Sequence, residues 1–202
     1  MKFNWFKKIG KDDPKFWDTY LSYFDKNKGA NKRFVVFDCE TTGLDYKSDR
    51  ILSIGAVAIQ NNQIVINDFM EVFLQQQIFK PESVLIHGIL KEGKEEKIVE
   101  AEAVIRFLDF VKDATLVGHH VAFDIEMMNQ CLARLEVGKL KNQIMDTDVM
   151  HQKLKYLPQE EHYSLDELCA ICNIKKSDRH TASGDAFITA LLFLKLKRKL
   201  EL

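Results

Sequence analysis

RFVVFDCETTGLD, residues 33–45, begins as a run of apolar and β-branched side chains and ends in a polar turn carrying a glycine. Such a run reads as a buried strand. It closes with two carboxylates, Asp38 and Glu40, two residues apart. Residues i and i+2 of a strand share a face, so both acids project together. Like charges side by side at the edge of a core are costly unless a cation lies between them. A divalent metal would meet that cost. The alternative is that one acid merely caps the Thr41-Thr42-Gly43 turn, and the rest of the chain has to decide between them.

Two more strand-like runs follow, ILSIGAVAIQ (51–60) and QIVINDFMEVFL (63–74), with Asn61-Asn62 as the turn between them. Short polar turns between β-rich runs give antiparallel neighbours, so these three strands form a meander. Next come a Pro81-led segment, PESVLIHGIL (81–90), a charged stretch, and the amphipathic pattern IVEAEAVIRFLDFVK (98–112). TLVGH (115–119) reads as a fourth strand and is followed by a helix from Ala122 to about Leu135. QIMDTDV (143–149) is a fifth short strand or a strand–helix junction, and helical patterns then occupy 147–156, 164–172 and 183–199. An antiparallel meander continued by βαβ alternation predicts an α/β domain: a mixed sheet, three antiparallel strands continued by parallel ones, flanked by helices.

Residues 1–30 differ from the rest. They hold eight aromatics, Phe3, Trp5, Phe6, Phe16, Trp17, Tyr20, Tyr23 and Phe24. Asp13-Pro14 is a favourable start for a helix running to about Lys26 and ending near Gly29. We read residues 1–30 as an aromatic-rich helical extension, packed on the domain or on a partner, and 31–202 as the domain proper.

With 202 residues the chain can bury a full core, and its net charge of −1 excludes nucleic-acid binding through a globally basic surface. Any phosphate contact must be local, through cations such as Lys139, Lys141, Lys175, Lys176 and Arg179. The N-terminal MKFNWFKKIGKDD lacks a continuous apolar segment, and no stretch approaches a membrane span. The expectation is a cytoplasmic protein with no membrane partner. Of the four cysteines, Cys169 and Cys172 form a CxxC on an apolar helical stripe with no second pair. They read as buried thiols rather than a redox or zinc motif. Cys39, between the two acids, should face the opposite way.

Two further acids stand where an apolar stripe begins. From Asp124, helical steps reach Met127, Met128, Cys131, Leu132 and Leu135; from Asp185 they reach Ile188, Thr189, Leu192, Phe193 and Leu196. Either acid alone would serve equally well as a helix N-terminal charge. Together with Asp38 and Glu40 they suggest four carboxylates converging at a sheet edge. His180 lies five residues before Asp185 and within reach of whatever Asp185 binds.

FDCETTG (37–43), GHHVAFD (118–124) and HTASGDA (180–186) resemble, in order and spacing, the three motifs of the DnaQ-like (DEDDh) 3′–5′ exonucleases, the family of the proofreading subunit of bacterial replicative polymerase. IHGI (86–89), MDT (145–147) and YSLDELC (163–169) are weaker family-like features. The resemblance covers about residues 33–196 and implies a ribonuclease H-like fold and a two-metal hydrolase. Asp38 would bridge two Mg²⁺ or Mn²⁺ ions, Glu40 and Asp185 would complete the nucleophile's site, and Asp124 would hold the second ion. His180 would be the general base. Thr41, Thr42, Gly43 and Leu44 would contact the 3′-terminal nucleotide, and Phe123 would pack beneath that nucleotide or in the core. His120 stands where the family more often has Asn. The implied partners are nucleic acid with a free 3′ end, single-stranded or frayed DNA or else RNA, and a DNA polymerase or another replication or repair protein. A nucleotide-sugar transferase also places a D-x-E-like pair at a strand end, but needs neither His180 nor acids on two helices.

Overall fold

In a computed structural model of the protein, residues 13–26, 33–78 and 80–202 are described. The meander expected at 33–74 is present. Strand β1 (Phe34–Thr41) pairs antiparallel with β2 (Ile51–Gln60), and β2 with β3 (Gln63–Leu74) across the Asn61-Asn62 turn. Both turn residues have positive φ, a conformation that asparagine tolerates better than most residues. On the other side of β1, β5 (Thr115–Gly118) and then β6 (Ile144–Asp146) add in parallel.

One strand has no counterpart in the pattern reading. Lys97–Ile98, placed there in a charged stretch and at the start of a helix, forms β4, parallel to the end of β3. The edge of β3 offers unpaired backbone groups, and Ile98 with Val99 favours extended backbone, so the helix begins only at Glu100. The sheet order is β4-β3-β2-β1-β5-β6. This is the predicted mixed sheet, with β1 near its middle.

Helices cover both faces. Beside α1 (Lys15–Lys26) on the first face lie α3 (Glu100–Val111) and α4 (Ala122–Arg134), which bury Val104, Phe107, Leu108, Met127, Met128, Cys131 and Leu132 against Val35, Phe37 and Cys39 of β1. On the second face α5 (Thr147–Lys155), α6 (Leu165–Ile171) and α7 (Ala182–Lys199) bury Met150, Leu168, Cys169, Ile188, Leu192, Phe193 and Leu196 against Phe34 and Val36. The alternation along β1 thus divides its side chains between two cores. The short α2 (Pro81–His87) starts on Pro81 and stops at Gly88, whose φ of 70° suits glycine. All four cysteines are free and buried, the CxxC pair within the second core and Cys39 in the first, opposite the acids.

Trp17 and Tyr20 of α1 are buried in the first core, with Phe16, Leu21 and Phe24 packed beside them. The Tyr20 hydroxyl donates to Asn142 Oδ1 (2.6 Å) and accepts from the Lys141 N–H (2.8 Å). Phe3, Trp5, Phe6 and the expected stop at Gly29 lie outside the described residues.

Candidate active site

The central strand β1 ends at the edge where β5 and β6 also end, so side chains from three connections can meet there. Asp38 and Glu40 emerge on the second face, the side of α7. Across from Asp38 in the ladder stands Gly55 of β2. A Cβ on Gly55 would lie 2.2 Å from the carbonyl carbon of Ala182 and from the amide nitrogen of Ser183. The missing side chain therefore lets the first turn of α7 settle onto the sheet beside Asp38. That turn is fixed by its cap: Thr181 Oγ1 accepts the Gly184 N–H (3.1 Å). Asp185 follows at once, buried, and the Asp38, Glu40 and Asp185 carboxylates each offer an oxygen within 4.8 Å of the others. The ladder also shifts register between Glu40 and Thr41, a bulge that turns the chain into the following loop.

Asp124 comes from the other face. It sits in the first turn of α4, buried, and its Oδ1 accepts the Cys39 N–H (3.1 Å), between the two strand acids. It is not within the close trio, but its charge is felt there.

The electrostatics follow from this crowding. Burial, then the charges of Asp124, Asp185 and Glu40, push the Asp38 carboxyl well above its usual range. Burial, then Asp185, raises Glu40 to about 7, and burial, less the help of backbone N–H groups, raises Asp124 to about 7. Arg179 is the cation that relieves them. Its guanidinium forms an ion pair with Asp185 and another with Asp166 (3.0 Å). A cluster of raised carboxylates with only oxygen donors fits a hard divalent cation, and Asp38, Glu40 and Asp185 could hold one.

His180 lies between Arg179 and the α7 cap with φ 62°. Its backbone N–H donates to Asp185 Oδ2 (3.3 Å), and the residue is exposed. In the turn after β1, Thr42 is buried and holds the loop: its N–H donates to Arg50 O (2.9 Å) and its Oγ1 to Asp49 Oδ1 (2.7 Å). Thr41 Oγ1 donates to Gly43 O (2.8 Å), while the Leu44 side chain is 86% exposed, an apolar group open to solvent next to the acids. Phe123 is half-buried, packed on the first core from its rim. His120 is exposed, also with positive φ, and faces Asp148 rather than the carboxylate trio.

Two residues shape the site in ways the sequence did not reveal. Gly55 could have been found, since a glycine inside a strand marks close backbone approach. Arg179 was read as a phosphate contact, yet it is engaged by Asp185 and Asp166; Lys176 also pairs with Asp166 (2.9 Å) and Lys139 with Glu126 (3.8 Å). Nothing in the string RHTASGDA tells an arginine that binds substrate from one that neutralises its neighbour. Behind the 177–184 loop lies a cavity of about 530 Å³, lined among others by Ser53, Phe73, His87 and Phe187; it adjoins the cluster without containing it.

With the geometry in place, comparison with known proteins is direct. The exonuclease family model matches residues 35–193. The chain is 36% identical over 174 residues to the PolC-type DNA polymerase III of Caldanaerobacter subterraneus subsp. tengcongensis, covering 83% of this chain but 12% of that protein. It is 34% identical over 174 residues to the DNA polymerase III subunit epsilon of Escherichia coli, covering 82% of this chain and 71% of that one. Among solved structures, E. coli exonuclease I in complex with a dT13 oligonucleotide superposes with a TM-score of 0.71 at 20% identity, over 84% of this chain and 42% of that one. That likeness is one of fold, the ribonuclease H-like sheet. Among the described residues no helix is long and apolar enough to cross a membrane. The chain belongs to the exonuclease family that includes the epsilon subunit of DNA polymerase III.

Proposed function

We propose that the protein is a metal-dependent 3′–5′ exonuclease that releases nucleoside monophosphates from single-stranded or frayed DNA ends. The observation that carries this reading is the meeting of Asp38, Glu40 and Asp185 within 4.8 Å, with Asp124 beside them. Asp38, Glu40 and Asp185 would hold one Mg²⁺ or Mn²⁺ ion, and Asp38 with Asp124 a second. Bound there, the pair supplies charge stabilisation for the attacking and leaving oxygens of an in-line displacement at phosphorus.

The protein's own residues do the rest. An imidazole nitrogen of the exposed His180 takes the proton of the attacking water. The loop Thr41–Leu44, braced internally through Thr42 and Asp49, presents Leu44 to the terminal base, and Gly43 keeps the backbone beside it low. Phe123 lines the edge of the same cleft. Arg179, by neutralising Asp185, keeps the cluster folded when metal is absent. We place the enzyme in the cytoplasm, serving a DNA polymerase, because epsilon and PolC-type polymerases are its relatives.

The test is digestion of matched DNA and RNA oligomers labelled at the 5′ end, with chelator and with Mg²⁺ or Mn²⁺. A ladder shortening from the 3′ end of DNA, abolished by chelator, is expected. Preferred cutting of RNA would move the substrate to RNA, where a 2′-hydroxyl contact would be needed. Cutting of closed circles, or release from the 5′ end, would overturn the reading.

A further inference from the structure

We propose that His120, Asp148 and His162 form a second metal site, separate from the carboxylate cluster and selective for a zinc-class transition ion. The three residues come from different segments: His120 from the β5–α4 loop, Asp148 from the first turn of α5, and His162 from the loop before α6. His162 Nδ1 lies 2.7 Å and His120 Nε2 3.3 Å from the same Asp148 oxygen, Oδ2, and all three ligand atoms fall within 4.8 Å of one another. Zinc bonds of about 2.0–2.1 Å in tetrahedral array set neighbouring ligand atoms about 3.3 Å apart. The His120–Asp148 separation already meets that value. The His162–Asp148 contact would lengthen from 2.7 Å on binding an ion, and both imidazoles are about half exposed.

The surroundings are built as metal second shells are built. Asp148 is buried, between the two rings and the Tyr163 N–H. Its Oδ1 accepts the Tyr163 N–H (3.1 Å), fixing the carboxylate plane and leaving Oδ2 to the two rings. The His120 ring is stacked on His119 (4.3 Å between centroids), which is itself held at Nδ1 by Thr147 Oγ1 (2.9 Å). Gln152 Nε2 donates to Glu161 O (2.8 Å) and comes within 3.4 Å of His162 Nδ1, which steadies the loop bearing His162. Two imidazoles and one carboxylate, with the fourth position open to solvent, are a donor set for Zn²⁺ or Co²⁺ and a poor one for Mg²⁺. A bound ion would tie the loop at 119–121, which leads into Asp124, to α5 and to the loop before α6.

The full chain, stripped with chelator and then held in excess Mg²⁺ to fill the carboxylate cluster, should bind one equivalent of Co²⁺ with the visible absorption of a four-coordinate ion. Zn²⁺ should displace it and raise the melting temperature. His162→Gln and His120→Asn should each weaken that binding by at least about 10–100-fold, since losing a ligand costs no less than losing a group that merely orients one. Asp38→Asn should leave it unchanged. His120→Asn changes a half-exposed side chain, so it keeps the test sound even if His162→Gln folds poorly. Absence of a Mg²⁺-resistant equivalent, binding untouched by both histidine variants, or binding lost in Asp38→Asn would each overturn the proposal, whatever the outcome for nuclease activity.

Discussion

Gly55 stands opposite Asp38 in the β1–β2 ladder, and the backbone of Ala182 and Ser183 occupies the space that a side chain on residue 55 would need. The placement of Asp185 against Asp38 therefore depends on an atom that is not there.

Gly55→Ala should push the first turn of α7 off the sheet. The clash is with backbone at 2.2 Å, so no side-chain rotation relieves it. We expect a loss of about 1–3 kcal/mol of stability, the usual range for overpacking, and a larger proportional loss of turnover, because the carboxylates separate. Nuclease rate and denaturant midpoint measured together check this; wild-type activity with wild-type stability would show that α7 is placed by other contacts.

Metal-free protein should lose stability as pH rises from acid to neutral through the site carboxylates. Asp38 is raised, and Glu40 and Asp124 are raised to about 7, against ordinary values near 4. A carboxyl raised in the folded state favours folding below its unfolded value and loses that contribution as pH climbs through its folded one. Asp49, Asp148 and Glu100 are lowered and act in the opposite sense, so the readout is a difference between proteins. Asp38→Asn should melt higher than wild type at pH 7.5 in chelator, with a smaller advantage at pH 5, and should be inactive with Mg²⁺. An equal or lower melting temperature at pH 7.5 would contradict the electrostatic account.

His180→Ala should lose ~10²–10⁴-fold in single-turnover rate, the contribution of a positioned proton acceptor. Its metal affinity, read by titration calorimetry, should stay close to wild type, since His180 is not among the three groups that converge on the cation position. Unchanged turnover would make His180 a bystander, whereas lost metal binding would make it a ligand.

Tyr20→Phe should cost about 1–3 kcal/mol, because the buried Asn142 carbonyl and the Lys141 N–H both lose their partner. Removal of residues 1–30 should cost more, since it also strips Trp17 from the first core. A truncated protein that melts with the full chain would make α1 dispensable.

Much of this was legible from the order of residues alone. β-branched, apolar runs broken at Asn61-Asn62 carried the meander, and the apolar stripes starting at Asp124 and Asp185 carried α4 and α7, because these signals are local. β4 was not legible: two residues pair only because β3 is waiting beside them. The meeting of Asp38, Glu40 and Asp185 rests on side chains nearly 150 positions apart; the strand pair and the stripes beginning at Asp124 and Asp185 suggested it, and the motif resemblance made it specific. The pairing of Arg179 with Asp185 and Asp166 was hidden for a related reason, since the partner of a cation is a property of the fold. The histidines at 120 and 162 stayed unconnected until Asp148 was seen between them.

The long helix α7 has a mechanical consequence. From Ala182 to Lys197 it advances about 22 Å, at 1.5 Å per residue. From Gly55 to Gln60 β2 covers about 17 Å, at about 3.3 Å per residue, and the Asn61-Asn62 turn lies just beyond it. The two are pinned at both ends, at Gly55 under Ala182 and at Asn62, whose Oδ1 accepts the Lys197 ammonium (2.6 Å). The helix is thus a stiff rod laid along the strand, with the carboxylate cluster at one tip and the hairpin turn at the other. Sliding the rod along its axis would carry Asp185 past Asp38, and the packing of Ile188, Leu192, Phe193 and Leu196 on the sheet, more than the exposed Lys197 contact, opposes that slide.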